Sequence, residues 1–248
     1  MPSPAKASFQ RKLAQIASGE IAREGSAAPM PTDGPVASEY QQLLAALQID
    51  MNRLRQIEST EKKIEAKREM IGTYRAWVEG ALAAETPAQD EIVANMLVWA
   101  MDVCDWDYAF RLASHVVNNN LALPERYKRK PVTLIVEEVA EAGLAADPRI
   151  TLGEMQQFEA AFLAADMQDV VKAKLAKALG LAFKRQADAF DGAADNAVAG
   201  GKSGLLAQAL NHFQAALTLD KGSGVKKLIE GLERDLRKVA PPEGTEAT

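Results

Sequence analysis

Two clusters of basic side chains are the residues of this sequence best suited to bind phosphate. The first lies at positions 62–68 and the second at positions 126–130, where Tyr127 stands among the basic residues. Because lysine and arginine neutralise the phosphates of nucleic acids, both clusters are candidate nucleic-acid contacts. The candidate residues are Lys62, Lys63, Lys67, Arg68, Arg126, Lys128, Arg129 and Lys130.

Each cluster also has a purely structural interpretation. Four glutamates between positions 58 and 69 alternate with the first cluster, so its lysines equally fit a solvated helix face paired with these acids. The second cluster has no such interleaved acids and equally fits an ordinary loop facing an acidic neighbour. If neither cluster binds DNA, the next candidates are Lys6, Arg11 and Lys12 near the N-terminus.

Gly201-Lys202-Ser203 resembles the end of a phosphate-binding loop. That loop requires Gly-x-x-x-x-Gly-Lys-Ser/Thr directly after a strand, so that backbone N–H groups surround the phosphates. Asn196 stands at the position of the first glycine, and no strand is predicted before it. We therefore expect a flexible loop here and no nucleotide cofactor.

The acidic residues do not form a recognisable nuclease site. Glu65-Ala66-Lys67 has the Glu-x-Lys spacing of one nuclease class, but on a helix residues i and i+2 point roughly 200° apart. Asp102, Asp105 and Asp107 are explained by helix capping and a solvated loop without a metal ion. We predict no catalytic residue, no metal site and no cofactor, and an intrinsic metal-dependent endonuclease ranks third among our hypotheses.

Composition excludes several classes of protein. The 248 residues are 48% hydrophobic and 25% charged, with a net charge of −5 and only 6% aromatic residues, which is typical of a globular, mostly helical protein. A single cysteine, Cys104, excludes an intrachain disulfide, and two histidines, His115 and His212, exclude a histidine-rich metal site. No apolar run predicts a membrane span or a signal peptide, so we expect a cytoplasmic location.

The chain is acidic overall and its basic clusters are small. We therefore expect it to bind DNA tightly only if these clusters are repeated in an oligomer.

The basic residues 62–68 lie in what the sequence predicts as one long helix over residues 39–70, started by Ser38 and Gln41 as a capping box. Apolar residues spaced by four and three form a coiled-coil seam on it. The seam residues are Tyr40, Leu44, Leu47, Met51 and Leu54. Because so long a helix needs a partner, we predict self-association through this seam.

Capping signals predict further helices, starting at Thr86-Pro87, Asp105, Pro131, Thr151 and Asp166. The predicted fold is all-α: a long coiled-coil-forming helix followed by stacked helical hairpins, with tetratricopeptide-like pairs at the C-terminus. The predicted parts are a flexible arm (1–35), the oligomerisation helix (36–71), a helical domain (72–146), a helical-hairpin domain (147–240) and a disordered tail (241–248).

Several short motifs occur in an order that resembles a known family. They are Glu61-Lys62-Lys63-Ile64, the run Tyr74-Arg75-Ala76-Trp77-Val78-Glu79-Gly80, Gln89-Asp90, Trp99 with Asp102 and Asp105, Leu121-Ala122-Leu123-Pro124, Glu137-Glu138, Leu219-Asp220 and Gly224-Val225-Lys226-Lys227-Leu228-Ile229. Their order from about Tyr40 to Leu236 is similar to that in the terminase small subunits of tailed phages, in the GpM-like branch, which is labelled the terminase endonuclease subunit.

The resemblance implies a DNA-packaging protein acting in the host cytoplasm. Such a subunit forms a ring, binds double-stranded viral DNA at the packaging start, and presents it to a large subunit that carries the ATPase and nuclease centres. We interpret the endonuclease label as cleavage by the assembled enzyme. The alternative hypothesis is a helical-repeat scaffold or adaptor without DNA binding.

Overall fold

The computed structural model describes residues 3–19, 29–84, 87–191 and 201–239. These residues form ten α-helices and no strand, so the all-α prediction is confirmed. The helices are α1 (Pro4–Gly19), α2 (Gly34–Arg55), α3 (Thr60–Leu82), α4 (Glu91–Asp102), α5 (Trp106–Asn118), α6 (Pro131–Leu144), α7 (Leu152–Phe162), α8 (Asp169–Asp188), α9 (Gly201–Leu219) and α10 (Lys226–Val239). None of these helices is both long and apolar enough to cross a membrane.

The chain divides into two compact units, residues 1–132 and residues 133–248. The boundaries predicted from the sequence, after residues 35, 71, 146 and 240, stay a prediction. Helix α3 spans residue 71 and packs against α1, α2 and α4.

The first unit is built around α4. Every residue from Ile92 to Met101 is buried, and α3 and α5 pack against this helix. Trp77 on α3 is fully buried and stacks on Tyr40 of α2, with ring centroids 5.5 Å apart. The Tyr74 hydroxyl donates to Asp50 Oδ2 at 2.7 Å and also joins α3 to α2.

The prediction of one helix over residues 39–70 is wrong, because the structure has two helices there. α2 begins at Gly34, with Pro35 in its first turn, and ends at Arg55. Ser59 then caps α3, since its side chain accepts from the Lys62 N–H at 3.3 Å. Ser38 lies inside α2 and donates to the Gly34 carbonyl. A serine cap in the middle of the apolar pattern restarts the helix and allows it to fold back.

The coiled-coil seam is not confirmed, because the folded-back chain buries much of it within the unit. Tyr40, Leu47 and Leu54 are buried, Leu47 to 1% exposure, whereas Leu44 and Met51 are half-buried. The apolar face of α2 therefore packs against other helices of its own unit. Self-association through these five residues stays a prediction.

The predicted flexible arm of residues 1–35 contains α1, which packs against α3 and α2. Leu13 and Ala14 are buried, and the buried Gln10 donates from Nε2 to Glu39 Oε1 at 2.6 Å. Gly80 on α3 permits the close approach of α1, because a Cβ there would collide with the Arg11 carbonyl oxygen. Residues 1–2 and 20–28 of the predicted arm and the predicted tail of residues 241–248 lie outside the described residues.

Helix starts with a strong local signal are confirmed. Asp105 caps α5, Pro131 begins α6, and Thr151 with Glu154 forms the capping box of α7. Two starts differ. Helix α4 begins at Glu91 with Asp90 as its cap, after Pro87, while Thr86 lies outside the described residues. Helix α8 follows Gln168 rather than Asp166.

The second unit is built around the pair α8 and α9, against which α7 and α10 pack. Gly180 lets the buried Phe213 ring lie directly on the backbone of α8, because a Cβ there would come within 2.6 Å of that ring. Helix α10 packs against α9, and its Leu232 is buried in the same core. The tetratricopeptide-like character of these pairs stays a prediction.

Candidate nucleic-acid interface

The structure brings residues from both basic clusters into one cleft of the first unit, which we term the basic cleft. It has a volume of about 240 Å³. Lys63 and Lys67 come from α3, Arg126 comes from the loop between α5 and α6, and Arg55 is the last residue of α2. The remaining wall is apolar and consists of Met51, Leu54, Trp99 and Tyr127.

Arg126 is held in place by three contacts. Its Nη2 donates to Asn95 Oδ1 at 2.5 Å, and its Nη1 lies 3.3 Å from Met51 Sδ. Its guanidinium carbon lies 4.8 Å from the centre of the Tyr127 ring, in cation–π geometry. Asn95 is fully buried on α4, where its Nδ2 donates to the Glu91 carbonyl at 2.7 Å.

The loop that carries Arg126 is attached to the segment before α4. Gln89 donates to the Ala122 carbonyl at 3.0 Å and accepts from the Ala122 N–H at 2.8 Å. The Tyr127 N–H donates to the Pro124 carbonyl at 2.8 Å and closes a turn. The position of Arg126 is therefore fixed both by backbone contacts and by Asn95.

Two of the predicted phosphate contacts are engaged within the protein. Lys67 Nζ forms an ion pair with Asp102 Oδ2 at 2.5 Å, and only 16% of the lysine side chain is exposed. Arg68 Nη2 donates to the Val103 carbonyl at 3.3 Å. Both side chains link α3 to the C-terminal end of α4, which gives them a stabilising role.

The other predicted contacts lie outside the basic cleft. Lys62 is exposed in the first turn of α3, and Lys128, Arg129 and Lys130 are exposed along the loop before α6. Lys130 lines a different pocket, together with Val116 and Pro131. Binding of DNA by these four residues stays a prediction.

A second cleft of about 540 Å³ adjoins the basic cleft and shares Arg55 and Arg126 with it. Glu91 and Glu125 line this cleft, so its charge is mixed. Tyr40 also lines it and accepts from the Glu91 N–H at 3.0 Å, and burial raises the pKa of that tyrosine.

Asp90 lies beneath this region and is 2% exposed. Its Oδ1 caps α4 by accepting from the N–H groups of Ile92 and Val93 at 2.8 and 3.1 Å. Its Oδ2 accepts from the Trp77 indole N–H at 2.7 Å. Burial raises the pKa of Asp90 to about 6, although these three hydrogen bonds oppose the shift.

The carboxylates considered as nuclease residues have structural partners. Asp102 pairs with Lys67, and Asp105 caps α5 and also forms an ion pair with Arg75 at 3.3 Å. Asp107 is exposed in the first turn of α5. Across the described residues, no group of three or more acidic, histidine or cysteine side chains is arranged to hold a metal ion.

Both histidines are partly buried, and burial lowers the pKa of each. His115 lies near the end of α5 beside Asn119. His212 stacks on Phe183, with ring centroids 5.3 Å apart, and lies 3.7 Å from Glu159, whose pKa burial raises. Gly201-Lys202-Ser203 forms the first turn of α9, so the expectation of a flexible loop at these three residues is wrong.

Sequence reasoning missed three residues of this interface. Arg55 stood alone outside the clusters, although a basic residue in the last turn of a helix is a common signal. Asn95 and Gln89 are polar residues whose importance depends on contacts with a distant loop. No local pattern marks such contacts.

Comparisons with known proteins agree with the resemblance in the sequence. Residues 44–176 match the family described as phage small terminase subunit. The chain is 34% identical to the "Terminase, endonuclease subunit" of Escherichia phage P2, over 100% of this chain and 91% of that protein. It is 25% identical to the "Probable terminase, endonuclease subunit" of Haemophilus phage HP1, over 90% of this chain and 79% of that protein. No solved structure matches the chain significantly.

Proposed function

The chain belongs to the phage small terminase subunit family, and we propose that it binds viral DNA at the packaging start and presents it to the large terminase subunit. A role in DNA packaging follows from the family. The convergence of Arg55, Lys63 and Arg126 on one cleft is the observation that supports DNA binding by this chain.

Repetition of the interface is part of the proposal. The net charge of −5 disfavours tight binding of DNA by one subunit, because affinity for DNA rises with the number of phosphates that the protein neutralises. A homo-oligomer, in the form of a ring, would place several copies of the basic residues on one duplex and raise avidity without new contacts. The assembly would act in the host cytoplasm, where the genome is packaged.

Cleavage of the DNA is assigned to the large subunit in this proposal. The relatives are named endonuclease subunits. In the described part of this chain, however, Asp102 and Asp105 are paired with basic side chains. A carboxylate committed to an ion pair and a helix cap is poorly placed to bind Mg²⁺ as well. The endonuclease activity would therefore belong to the complex.

A salt titration of DNA binding tests the proposal. The full chain is titrated against a fluorescent duplex carrying the packaging-start region, and against an unrelated duplex of equal length. We expect tighter binding to the viral duplex, and an affinity whose logarithm falls linearly with the logarithm of salt concentration, by about 0.9 per phosphate contacted. Binding to the large subunit without affinity for either duplex would instead favour the adaptor hypothesis.

A further inference from the structure

We propose that Arg55, Lys63 and Arg126 bind one backbone phosphate of DNA in the basic cleft, and that Asn95 presets Arg126 for this contact. The inference rests on the proposed function and narrows it to three phosphate-binding side chains. Two of them come from different predicted clusters, and Arg55 comes from neither. The exposed residues Lys128 to Lys130 are not part of this site.

The charge balance of the cleft is the first argument. In the part of the chain that the structure describes, Arg55, Lys63 and Arg126 form no ion pair with a carboxylate. Two neighbouring cations do form ion pairs with carboxylates. Arg53 lies 3.6 Å from Glu69, and Lys67 pairs with Asp102. The three cations line the same cleft and repel one another, and an anion bound among them would relieve that repulsion.

The fixed position of Arg126 is the second argument. The fully buried Asn95 accepts one N–H of the Arg126 guanidinium through its side-chain oxygen, and the Tyr127 ring lies against the same guanidinium. The remaining N–H groups of Arg126 are available to an oxyanion, and arginine binds phosphate well because its donors lie in a rigid plane. Fixing the side chain in advance lowers the entropy lost on binding.

The volume and the lining of the cleft indicate which ligand it binds. Its volume of about 240 Å³ lies below the range of roughly 300–1,000 Å³ that is typical of small-molecule pockets. Its apolar wall of Met51, Leu54, Trp99 and Tyr127 suits the sugars that flank a backbone phosphate. A free nucleotide or inorganic phosphate offers the same anionic group, and the experiment separates these sources.

The experiment compares two variants with equal loss of charge. The cleft variant carries Arg55→Gln, Lys63→Gln and Arg126→Gln. The control variant carries Arg53→Gln, Lys184→Gln and Lys238→Gln, which remove three cations already paired with carboxylates. Both full-length chains are titrated by fluorescence anisotropy against the viral duplex at several salt concentrations.

We expect the cleft variant to bind roughly 10- to 100-fold more weakly, as is typical when hydrogen bonds to charged groups are lost. Its salt slope should fall by about 0.9 for each subunit that contacts DNA. The control variant should retain most of the affinity and the slope. If the cleft variant matches the control while the parent binds viral DNA, the cleft assignment is wrong and the proposed function stands. If the parent binds no DNA, the proposed function fails as well.

ATP and inorganic phosphate test the other sources of the anion. We expect each to weaken DNA binding only as much as sodium chloride of equal ionic strength. Tight binding of either to the parent but not to the cleft variant would make the cleft a small-anion site and overturn the assignment to DNA.

A double-mutant cycle tests the positioning role of Asn95. If Asn95 acts through Arg126, Asn95→Ala weakens DNA binding in the parent but adds nothing in the Arg126→Gln variant. Additive losses would contradict this role. Because Asn95 is buried, tryptophan fluorescence must first show that the variant folds. Asn95→Ser, whose shorter side chain places its hydroxyl farther from Arg126, is measured in its place if Asn95→Ala does not fold, with the same expectation.

Discussion

Asp90 shows how one residue organises the first unit. Its carboxylate caps α4 and accepts from the Trp77 indole, which in turn stacks on Tyr40. Tyr40 accepts from the Glu91 N–H, so the start of α4 is held from two sides. The same helix carries Asn95 one turn further on, and Asn95 holds Arg126. Asp90 thus stabilises the start of the same helix, α4, that carries Asn95 and so positions Arg126 in the basic cleft.

The raised pKa of Asp90 predicts a pH dependence of stability. Its pKa is about 6 in the folded chain and 3.8 when unperturbed, so the folded state retains the proton more firmly. The stabilisation is fully present below pH 3.8 and is lost as the pH rises through about 6. Relative to Asp90→Asn, the unfolding free energy of the parent should fall by about 2 kcal/mol between pH 4.5 and pH 7.

Urea unfolding followed by tryptophan emission measures this effect. All three tryptophans, Trp77, Trp99 and Trp106, lie in the first unit, so their emission reports on the unit that contains Asp90. A difference between parent and variant that does not change with pH would contradict the link between burial and protonation at this site.

The structural roles of some residues could be predicted from local sequence patterns, whereas the roles of others could not. Thr151 and Glu154 satisfy each other's backbone groups within four residues, so their pattern is complete in the sequence. Asp90 was obscured because Thr86-Pro87 offers an equally good local signal upstream. Arg55 and Asn95 gain their roles from a loop far along the chain, and only the folded structure brings them together.

At the scale of elements, the break between α2 and α3 determines what the first unit exposes. Helix α2, which carries the predicted seam, packs against α1, α3 and α4, and its Leu47 and Tyr40 lie in the core. The period of the apolar residues was interpreted correctly as helical. The number of helices was predicted wrongly. A single turn, capped by Ser59, reverses the chain between α2 and α3 while the helical spacing of the apolar residues continues on both sides.

The contact between α1 and α3 depends on the missing side chain at Gly80. Gly80→Ala should lower the unfolding free energy by about 1–3 kcal/mol, because the new Cβ would collide with the backbone of α1. Gly231→Ala on α10 is the matched control, since nothing lies within 4 Å of its Cβ position. The control should be neutral or raise stability by up to ~1 kcal/mol. Equal effects in thermal unfolding followed by circular dichroism would contradict the close packing of α1.

The proposed binding of DNA by repeated basic residues requires that the whole protein form an oligomer. We expect light scattering to give a mass in solution that is a multiple of 26.7 kDa. Leu47→Asp would not test the seam cleanly, because Leu47 is buried in its own unit and the change would also destabilise the fold. Leu44→Asp is better, since Leu44 is only half-buried on the predicted seam, and Gln48→Asp on the exposed side is its control.

The Leu44→Asp variant should show a smaller mass with unchanged tryptophan emission, whereas Gln48→Asp should keep the parent mass. An oligomer of unchanged mass in both variants would place the interface elsewhere. A parent chain that remains monomeric with and without viral DNA would contradict the ring.

The family was indicated by the order of weak motifs across most of the chain rather than by any single site. The family match and the relatives agree with that indication. Sequence alone could not distinguish phosphate contacts from structural cations, because Lys63 and Lys67 look alike in a lysine-rich helix. Only the structure separates them, since Asp102 pairs with Lys67 and not with Lys63.

Site-specific cleavage in a purified reaction shows whether the chain presents viral DNA to a separate catalytic subunit. Viral DNA carrying the packaging start is incubated with Mg²⁺ and ATP together with this chain, the purified large subunit, or both. We predict that only the mixture cuts at the packaging start, and that the chain alone leaves the DNA intact. Cutting there by this chain alone, or equally well by the large subunit alone, would contradict the claim that the chain presents viral DNA to a separate catalytic subunit.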